Sequence, residues 1–159
     1  MCIISHGRCD TCTGLSRRAP RALAAATISS GAIDVSVIDA RGDSLPFADE
    51  SMDGALCAFT LCIVPRPASV LAEIHRVLKP GAALHFLEHG LSPDHRMQRW
   101  QRRPNGWEQR LEGGCQLVLD PLELVSAAYF VPEWSEQAYV AMPTPWIYLT
   151  LGLARRASG

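Results

Sequence analysis

The sequence predicts an α/β domain built on a parallel sheet. Three short apolar runs, at residues 35–39, 54–62 and 82–87, are each bounded by polar or turn-forming residues. Runs this short suit strands that are buried on both faces, although periodicity alone leaves a buried helix open. Residues 67–79 between the second and third runs carry a helical pattern, so the order is strand, helix, strand. Such a unit predicts two parallel, adjacent strands joined by a crossover helix.

Composition limits the class of protein. The chain has 159 residues, 48% of them hydrophobic, which suits one domain with a buried core. Its formal net charge of −1 gives no general attraction to nucleic acid, so we expect no nucleic-acid partner. No apolar run is long enough to span a bilayer, and the first ten residues lack the apolar core of a signal peptide. We therefore expect a cytoplasmic protein with reduced thiols.

The first 32 residues are predicted to form an atypical, weakly ordered segment. Cys2, His6, Cys9 and Cys12 crowd into one short arm, whereas structural zinc sites usually take ligand pairs from two separated segments. We therefore predict no metal, and a zinc or redox module remains the weaker alternative. A single domain is expected over 33–155, followed by a polar tail at 156–159.

The helix between the second and third runs is the best defined element of the sequence. Pro67 suits its first turn, where a missing N–H costs nothing. Pro80-Gly81 is expected to end it, and Lys79 is expected at the negative end of its dipole. Its apolar stripe sits at helical spacing and comprises Val70, Leu71, Ile74, Val77 and Leu78.

These motifs also carry a resemblance to a known family. The stretch LPFADESMDGALCAFTLCIV, followed by VLAEIHRVLKPGAALHFLEHG, resembles the middle of a class I S-adenosylmethionine-dependent methyltransferase of the "type 11" group. TLCIV, FLEHG and the later EGGCQL are most similar to the branch with thiol and phospholipid-type methyltransferases. The resemblance covers roughly residues 30–155. It implies a partial Rossmann-like methyltransferase sheet, S-adenosylmethionine as cofactor and a small-molecule acceptor.

The beginning of the chain departs from this family. A class I methyltransferase starts with a strand and a glycine-rich turn that approaches the cofactor. Thr13-Gly14-Leu15 matches only the end of such a turn, and no apolar strand precedes it. Only about twenty residues separate Gly14 from Val35, and this is too few for a helix, a strand and another helix. Missing strands would leave a bare sheet edge, so we expect self-association through that edge.

The loop before LPF follows the predicted strand at 35–39. In the family this loop runs along the adenine of the cofactor, and a gapless comparison places Arg41, Gly42 and Asp43 there. The resemblance implies that Asp43, or a backbone N–H near Gly42, bonds the adenine edge. A loop carboxylate bonded within its own turn is the alternative for Asp43.

Thr60, Leu61 and Cys62 end the second apolar run. Ligands of open α/β sheets bind beyond the carboxyl ends of the strands, so these residues are predicted to contact the cofactor. Cys57 and Cys62 are expected to behave as small buried hydrophobes, without a partner that would activate them as nucleophiles.

Glu88 and His89 end the third apolar run on the same rim. A buried strand that finishes in two ionisable groups is the best catalytic candidate in the chain, and histidine is the usual general base near neutral pH. Methyl transfer from a sulfonium needs alignment more than a strong base, but a thiol acceptor would need its proton removed. The alternative is that both side chains bond nearby backbone.

Residues 94–112 are the most basic and aromatic stretch, with Trp100, Trp107 and five arginines. The resemblance implies a substrate lid, which in related methyltransferases sometimes lies at a membrane surface, so peripheral membrane contact is a further expectation. A structural helix with a solvated outer face is the alternative. Asp120-Pro121 begins a further helix, with Asp120 as the N-cap. Residues 134–140 and 145–154 are then expected to form an antiparallel strand pair that closes the sheet.

The sequence thus predicts methyl transfer from S-adenosylmethionine to a thiol or a lipid-like amine. This function follows from the resemblance, whereas the residue pattern itself indicates an α/β domain with a site beyond its strand ends. The competing interpretation is a non-catalytic methyltransferase remnant that acts in protein association.

Overall fold

The computed structural model describes residues 1–5, 8–12, 35–38, 40–102, 116–140 and 148–158. In this part of the chain, seven strands form one sheet and three helices are defined. In chain order the elements are β1 (Cys2–Ser5), β2 (Arg8–Cys12), β3 (Val35–Ile38), β4 (Met52–Ala58), α1 (Pro67–Val77), β5 (Leu78–His89), α2 (His95–Gln101), α3 (Pro121–Ala127), β6 (Phe130–Tyr139) and β7 (Tyr148–Arg156).

The sheet has the strand order β3-β2-β1-β4-β5-β7-β6. β4 and β5 are parallel neighbours joined through α1, which confirms the predicted crossover. β6 and β7 are antiparallel and lie beside β5, which confirms the predicted closing pair. The mixed α/β architecture predicted from the sequence is therefore correct.

The amino-terminal strands correct the expectation that no apolar strand precedes Gly14. β1 pairs antiparallel with both β2 and β4, and β2 pairs parallel with β3. An antiparallel neighbour needs only a two-residue connection, whereas a parallel one needs a crossover of a dozen residues or more. The chain therefore covers the edge of β4 with very few residues, and that edge is not bare. The predicted boundary between an amino-terminal segment, residues 1–32, and the domain that begins at residue 33 stays a prediction.

The core lies on the face of the sheet that α1 and α3 cover. Residues of α1 at helical spacing pack with inward-facing residues of β4, β5 and β7 and with Val125 of α3. The fully buried members are large apolar groups such as Leu71, Ile74, Leu84 and Phe86. Burial of such side chains is the main favourable term in folding.

Helix and strand boundaries differ from prediction at the end of α1, at the end of β4 and at the carboxyl terminus. α1 ends at Val77, and β5 begins at once and runs through Pro80-Gly81, with Gly81 at φ 74°. Lys79 therefore lies in β5, where it pairs with Asp53 instead of the helix terminus. At the carboxyl terminus, the predicted tail residue Arg156 ends β7 and donates to the carbonyl oxygen of Leu78 at 2.6 Å.

Candidate functional site

Glu88 is the centre of the rim beyond β4 and β5. Its carboxylate is fully buried, and Oε1 accepts the backbone N–H groups of Thr60 at 2.7 Å and Leu61 at 3.0 Å. Oε2 accepts the N–H of Cys62 at 3.3 Å. A buried carboxylate is stable only when its lone pairs are satisfied, and these donors satisfy them. Glu88 thus fixes the turn that follows β4.

Cys57 completes the surroundings of this carboxylate. Its Sγ lies 3.6 Å from Oε1 of Glu88 and acts as the donor. Burial, followed by the negative charge of Glu88, raises the pKa of the Cys57 thiol to about 12, so it stays protonated. Burial also raises the pKa of Glu88, and the three backbone donors oppose this by favouring the charged form.

The turn held by Glu88 shortens β4 relative to the predicted run at 54–62. The strand ends at Ala58 because Phe59 adopts φ 47°, a left-handed conformation that is unfavourable for a bulky residue. The N–H of Phe59 donates to the carbonyl oxygen of Leu87 at 2.8 Å, and the following N–H groups then point at Glu88. The sequence pattern does not show where β4 ends, because the apolar run continues past Ala58.

His89 is half-buried beside this turn. Its Nδ1 lies 3.5 Å from Sγ of Cys62, and its ring centre lies 5.0 Å from that of Phe59 at a tilt of 49°. This thiol–imidazole contact corrects the expectation that Cys62 has no partner that could activate it. No local pattern indicates the contact, because the two residues are 27 positions apart in the chain. His89 is therefore held on one side by a sulfur and on another by an aromatic ring.

A cavity of about 300 Å³ lies beside the loop after β3. Its walls are the predicted loop residues and the segment that follows the Glu88 turn, namely Arg41, Gly42, Asp43, Ile63, Val64, Pro65, Arg66 and Val70. β3 runs parallel to β4, because β1 is antiparallel to both β2 and β4. The cavity thus sits beyond the carboxyl ends of the strands, where open α/β sheets bind ligands.

Asp43 organises the polar side of the cavity. Its carboxylate accepts Nε and Nη2 of Arg41 at 2.9 and 3.0 Å, and Nη2 of Arg66 at 3.0 Å. The hydrogen bond from Arg41 is the largest cause that lowers the pKa of Asp43 to about 2. The backbone N–H of Asp43 also contributes to this shift, so donors hold the carboxylate from several sides.

The predicted site residues thus divide into two groups. Arg41, Gly42 and Asp43 line the cavity, together with five residues that the sequence did not indicate as site residues: Ile63, Val64, Pro65, Arg66 and Val70. Thr60, Leu61 and Cys62 are buried, and they contact Glu88 through their backbone N–H groups. The structure therefore brings these three residues together with Glu88 and His89.

The predicted lid is described only in part. α2 carries Trp100, which is half exposed, and Asp94 caps this helix by accepting the N–H of Arg96 at 2.7 Å. Gln101 anchors it to the end of β5 by donating to the carbonyl oxygen of Gly90 at 3.1 Å. Residues 103–115, which include Trp107, lie outside the described residues. Membrane contact through 94–112 therefore stays a prediction.

Two features are absent from the described ranges. No helix within them combines the length and apolar character needed to cross a bilayer. No group of three or more His, Cys, Asp or Glu side chains within them could hold a metal ion. The predicted glycine-turn remnant at 13–15 and the side chains of the amino-terminal cysteines lie outside what is described.

Comparison with known proteins gives consistent results. Residues 5–86 match the family described as "Methyltransferase domain". The thiol S-methyltransferase TMT1B of Rattus norvegicus is 36% identical over 106 residues, which cover 66% of this chain and 42% of that relative. The human thiol S-methyltransferase TMT1B is 33% identical over 69% of this chain and 44% of its own length. The chain thus spans less than half of these curated relatives.

A solved structure supports the fold. A SAM-dependent methyltransferase of Methanosarcina mazei has a TM-score of 0.69 at 20% identity, covering 94% of this chain and 82% of that chain. At this identity the likeness concerns the fold alone. It agrees with the mixed sheet and with the helices that cover the core face.

Proposed function

The chain belongs to the S-adenosylmethionine-dependent methyltransferases of the methyltransferase domain family, and on this premise we propose that it transfers the methyl group of S-adenosylmethionine to a small-molecule thiol. The observation that carries the proposal is the position of His89, half-buried beyond the strand ends and held by Cys62 and Phe59. A thiol acceptor needs a group that removes its proton, and an imidazole can do this near neutral pH.

The cavity fits the adenine end of the cofactor. The Asp43 carboxylate on the cavity wall suits an exocyclic amine, and Ile63, Val64 and Val70 offer an apolar surface for a flat ring. Arg41 and Arg66 hold the Asp43 carboxylate in place from two sides. Bound S-adenosylmethionine supplies a methyl group that its sulfonium has already activated. The protein is then left with alignment and with removal of the acceptor proton.

His89 is proposed as the general base. If its Nδ1–H donates to Sγ of Cys62, Nε2 carries the lone pair that would take the thiol proton. The acceptor sulfur then forms its bond to the methyl carbon, and the electron pair of the broken bond stays on the sulfur of the departing S-adenosylhomocysteine. Cys62 would set the tautomer of the imidazole.

Glu88 is proposed to position this machinery without touching the acceptor. It is fully buried, and its defined contacts are with Cys57, with the backbone of 60–62 and with the Cys62 side chain. Among the two interpretations that the sequence left open, backbone bonding is the one that its contacts support.

The direct test is transfer of isotope-labelled methyl from S-adenosylmethionine to simple thiols, compared with lipid-like amines. His89→Ala is expected to lower kcat about 100-fold, the usual contribution of a general base. His85→Ala is the matched control, because His85 is exposed on the same strand and should leave the rate unchanged. Transfer to amines alone, or equal rates for both variants, would refute the proposal.

A non-catalytic role in protein association is the second candidate, and one face of the sheet favours it. Leu56 and Leu151 are each 41% exposed and Trp134 is 47% exposed, all on the face opposite α1. Cross-strand pairing places Leu56 beside His85, then Leu153, then Trp134 in one row. An apolar row of this kind on a sheet surface suits burial against a partner, and a second copy of the chain would provide the same row.

Sedimentation equilibrium tests this second candidate. Wild type should associate as its concentration rises, and Leu151→Glu should abolish association because it places a charge on the same face of the sheet, two residues along β7 from Leu153. Val118→Glu is the control, since Val118 is similarly exposed but lies outside the sheet. A wild-type chain that stays monomeric at all concentrations would exclude self-association.

A further inference from the structure

Residues 40–51 lead from β3 to β4 as an irregular loop, which the ladder of the sheet does not hold in place. Its backbone groups still need hydrogen-bond partners, and the position of the loop depends on where those partners are. Residues 41–43 of the loop line the cavity that the cofactor is proposed to occupy. The groups that hold the loop therefore also set the shape of that cavity.

A Glu-x-x-Arg motif on α1 binds this loop. The stretch AEIHRVLKPG, which carries part of the family resemblance, places Glu73 and Arg76 three residues apart on one side of the helix. Arg76 donates Nε to Oε2 of Glu73 at 2.9 Å and Nη2 to Oε1 at 2.7 Å, so the pair is bidentate. The Glu73 side chain is only 15% exposed, so solvent competes little for these bonds.

The pair holds Leu45 by both of its backbone groups. Oε1 of Glu73 accepts the N–H of Leu45 at 2.7 Å, and Nη2 of Arg76 donates to the carbonyl oxygen of Leu45 at 3.3 Å. Nη1 of Arg76 also donates to the carbonyl oxygen of Phe47 at 3.0 Å. Because the Leu45 side chain is buried in the core as well, this residue is fixed by its side chain and by its backbone.

Leu45 follows a tight turn that contains Asp43. The N–H of Ser44 donates to the carbonyl oxygen of Arg41 at 3.1 Å, which closes the turn at 41–44. A turn closed by its own hydrogen bond moves largely as a unit. Fixing Leu45 at the end of this turn therefore also fixes the direction of the Asp43 carboxylate.

The same helix supplies another part of the cavity wall. Arg66, the N-cap residue of α1, donates to Asp43 at 3.0 Å, and Val70 lines the cavity from within the helix. One helix thus carries a wall of the cavity at its beginning and the Glu73–Arg76 pair nearer its end. The distance between that wall and the loop is therefore set along a single helix.

We infer that Glu73 is a positioning residue for the cofactor cavity: paired with Arg76, it holds Leu45 against α1 and thereby places Asp43 opposite the cofactor. This inference rests on the proposed function, since it concerns the same cavity. Glu73 is not one of the described residues that line the cavity, so its effect on binding passes through the loop.

Calorimetric titration with S-adenosylhomocysteine tests the inference. Glu73→Ala should raise Kd about fivefold, because Asp43 keeps its charge but loses its fixed position. Glu73→Gln should stay within about twofold of wild type, since its carbonyl oxygen still accepts the N–H of Leu45. Asp49→Ala is the matched control, because it removes an exposed carboxylate partner of Arg76 but no bond to Leu45. A merely unstable variant would show fewer binding sites per chain at an unchanged Kd.

A double-mutant cycle with Asp43 identifies the route. In the Asp43→Asn background, Glu73→Ala should raise Kd by less than about twofold, because the group that Glu73 positions has already been changed. Fully additive effects of the two substitutions would mean that Glu73 acts independently of Asp43. Additivity, or an unchanged Kd for Glu73→Ala alone, would overturn the inference.

Failure of the proposed function would look different. Wild type would then bind neither S-adenosylmethionine nor S-adenosylhomocysteine, and amide hydrogen exchange would measure the hold on Leu45 directly. The N–H of Leu45 should exchange about tenfold faster in Glu73→Ala than in wild type or Asp49→Ala, while the N–H groups of β5 keep their protection. Faster exchange would support the positioning of the loop even without a cofactor. Equal exchange in all three proteins would overturn it.

Discussion

Glu88 and Asp43 are two carboxylates at the same edge of the sheet with opposite surroundings. Glu88 is fully buried and bound by backbone N–H groups, and burial raises its pKa. The Asp43 side chain retains some exposure and is bound by two guanidinium groups, the nearer of which lowers its pKa to about 2. Backbone donors cannot move away without unfolding the turn, whereas arginine side chains can exchange one partner for another. The first carboxylate therefore builds the framework, and the second is suited to ligand contact.

The largest effect is expected when the buried carboxylate is removed. Glu88→Ala leaves three backbone N–H groups at 60–62 without their acceptor in a buried turn. Each such group costs about 1–3 kcal/mol, so the free energy of unfolding should fall by roughly 3–5 kcal/mol. Chemical denaturation of the variant and wild type measures this directly.

Glu88→Gln serves as the comparison for this loss. It keeps one carbonyl oxygen for the N–H groups of Thr60 and Leu61, so it should lose less stability than Glu88→Ala. If both variants unfolded like wild type, Glu88 would not hold the turn.

A smaller effect, on binding only, is expected at the other carboxylate. Asp43→Asn removes the charge that fixes Arg41 and Arg66, so the Kd for S-adenosylmethionine should rise about tenfold. The unfolding temperature should change little, because exposed ion pairs contribute little to stability. Asp49→Asn, which removes an exposed partner of Arg76 away from the cavity, is the matched control. Unchanged affinity for Asp43→Asn would remove Asp43 from the cofactor site.

The smallest expected effect is a difference in pH dependence between the contributions of Glu88 and Asp43 to the free energy of unfolding. The folded-state pKa of Glu88 is raised above its ordinary 4.5, so its contribution is fully present below that value and is lost as pH rises through the folded pKa. The stability of wild type relative to Glu88→Gln should therefore decline above pH 4.5, by about 1.4 kcal/mol per pH unit until the folded pKa is passed. Denaturation series from pH 4.5 to 8 measure the difference.

Asp43 should behave in the opposite sense. Its folded pKa is depressed from 3.8 to about 2, so its contribution is present above 3.8 and is lost only as pH falls toward 2. The stability of wild type relative to Asp43→Asn should be flat from pH 4.5 to 8. If this stability difference instead declined with pH as it does for wild type relative to Glu88→Gln, Asp43 and Glu88 would not differ in the way proposed.

The elements that the sequence predicts well are those set by local pattern. The apolar stripe of α1, the parallel pair of β4 and β5 and the Asp120 cap all follow from spacings of a few residues, and all are present. The β1–β2 hairpin was missed because its strands are four and five residues long and include polar residues. Tertiary pairing with β4, and not local propensity, places β1 in the sheet.

The candidate site shows the same division. Arg41, Gly42 and Asp43 were found through family resemblance, and they line the cavity. Arg66 was missed because its contact with Asp43 spans 23 residues of sequence. The role of Glu88 depends on contacts with the backbone of 60–62, about 26–28 residues away, which no local pattern records.

Calorimetric titration of the full chain with S-adenosylmethionine, repeated with S-adenosylhomocysteine, tests the central claim most directly. We predict that both bind with micromolar affinity and that Asp43→Asn weakens both about tenfold, because the cavity beside Asp43 holds the adenine end that they share. A folded chain that gives no binding heat with either compound over a range of temperatures would contradict the account. The function would then be protein association through the apolar face of the sheet.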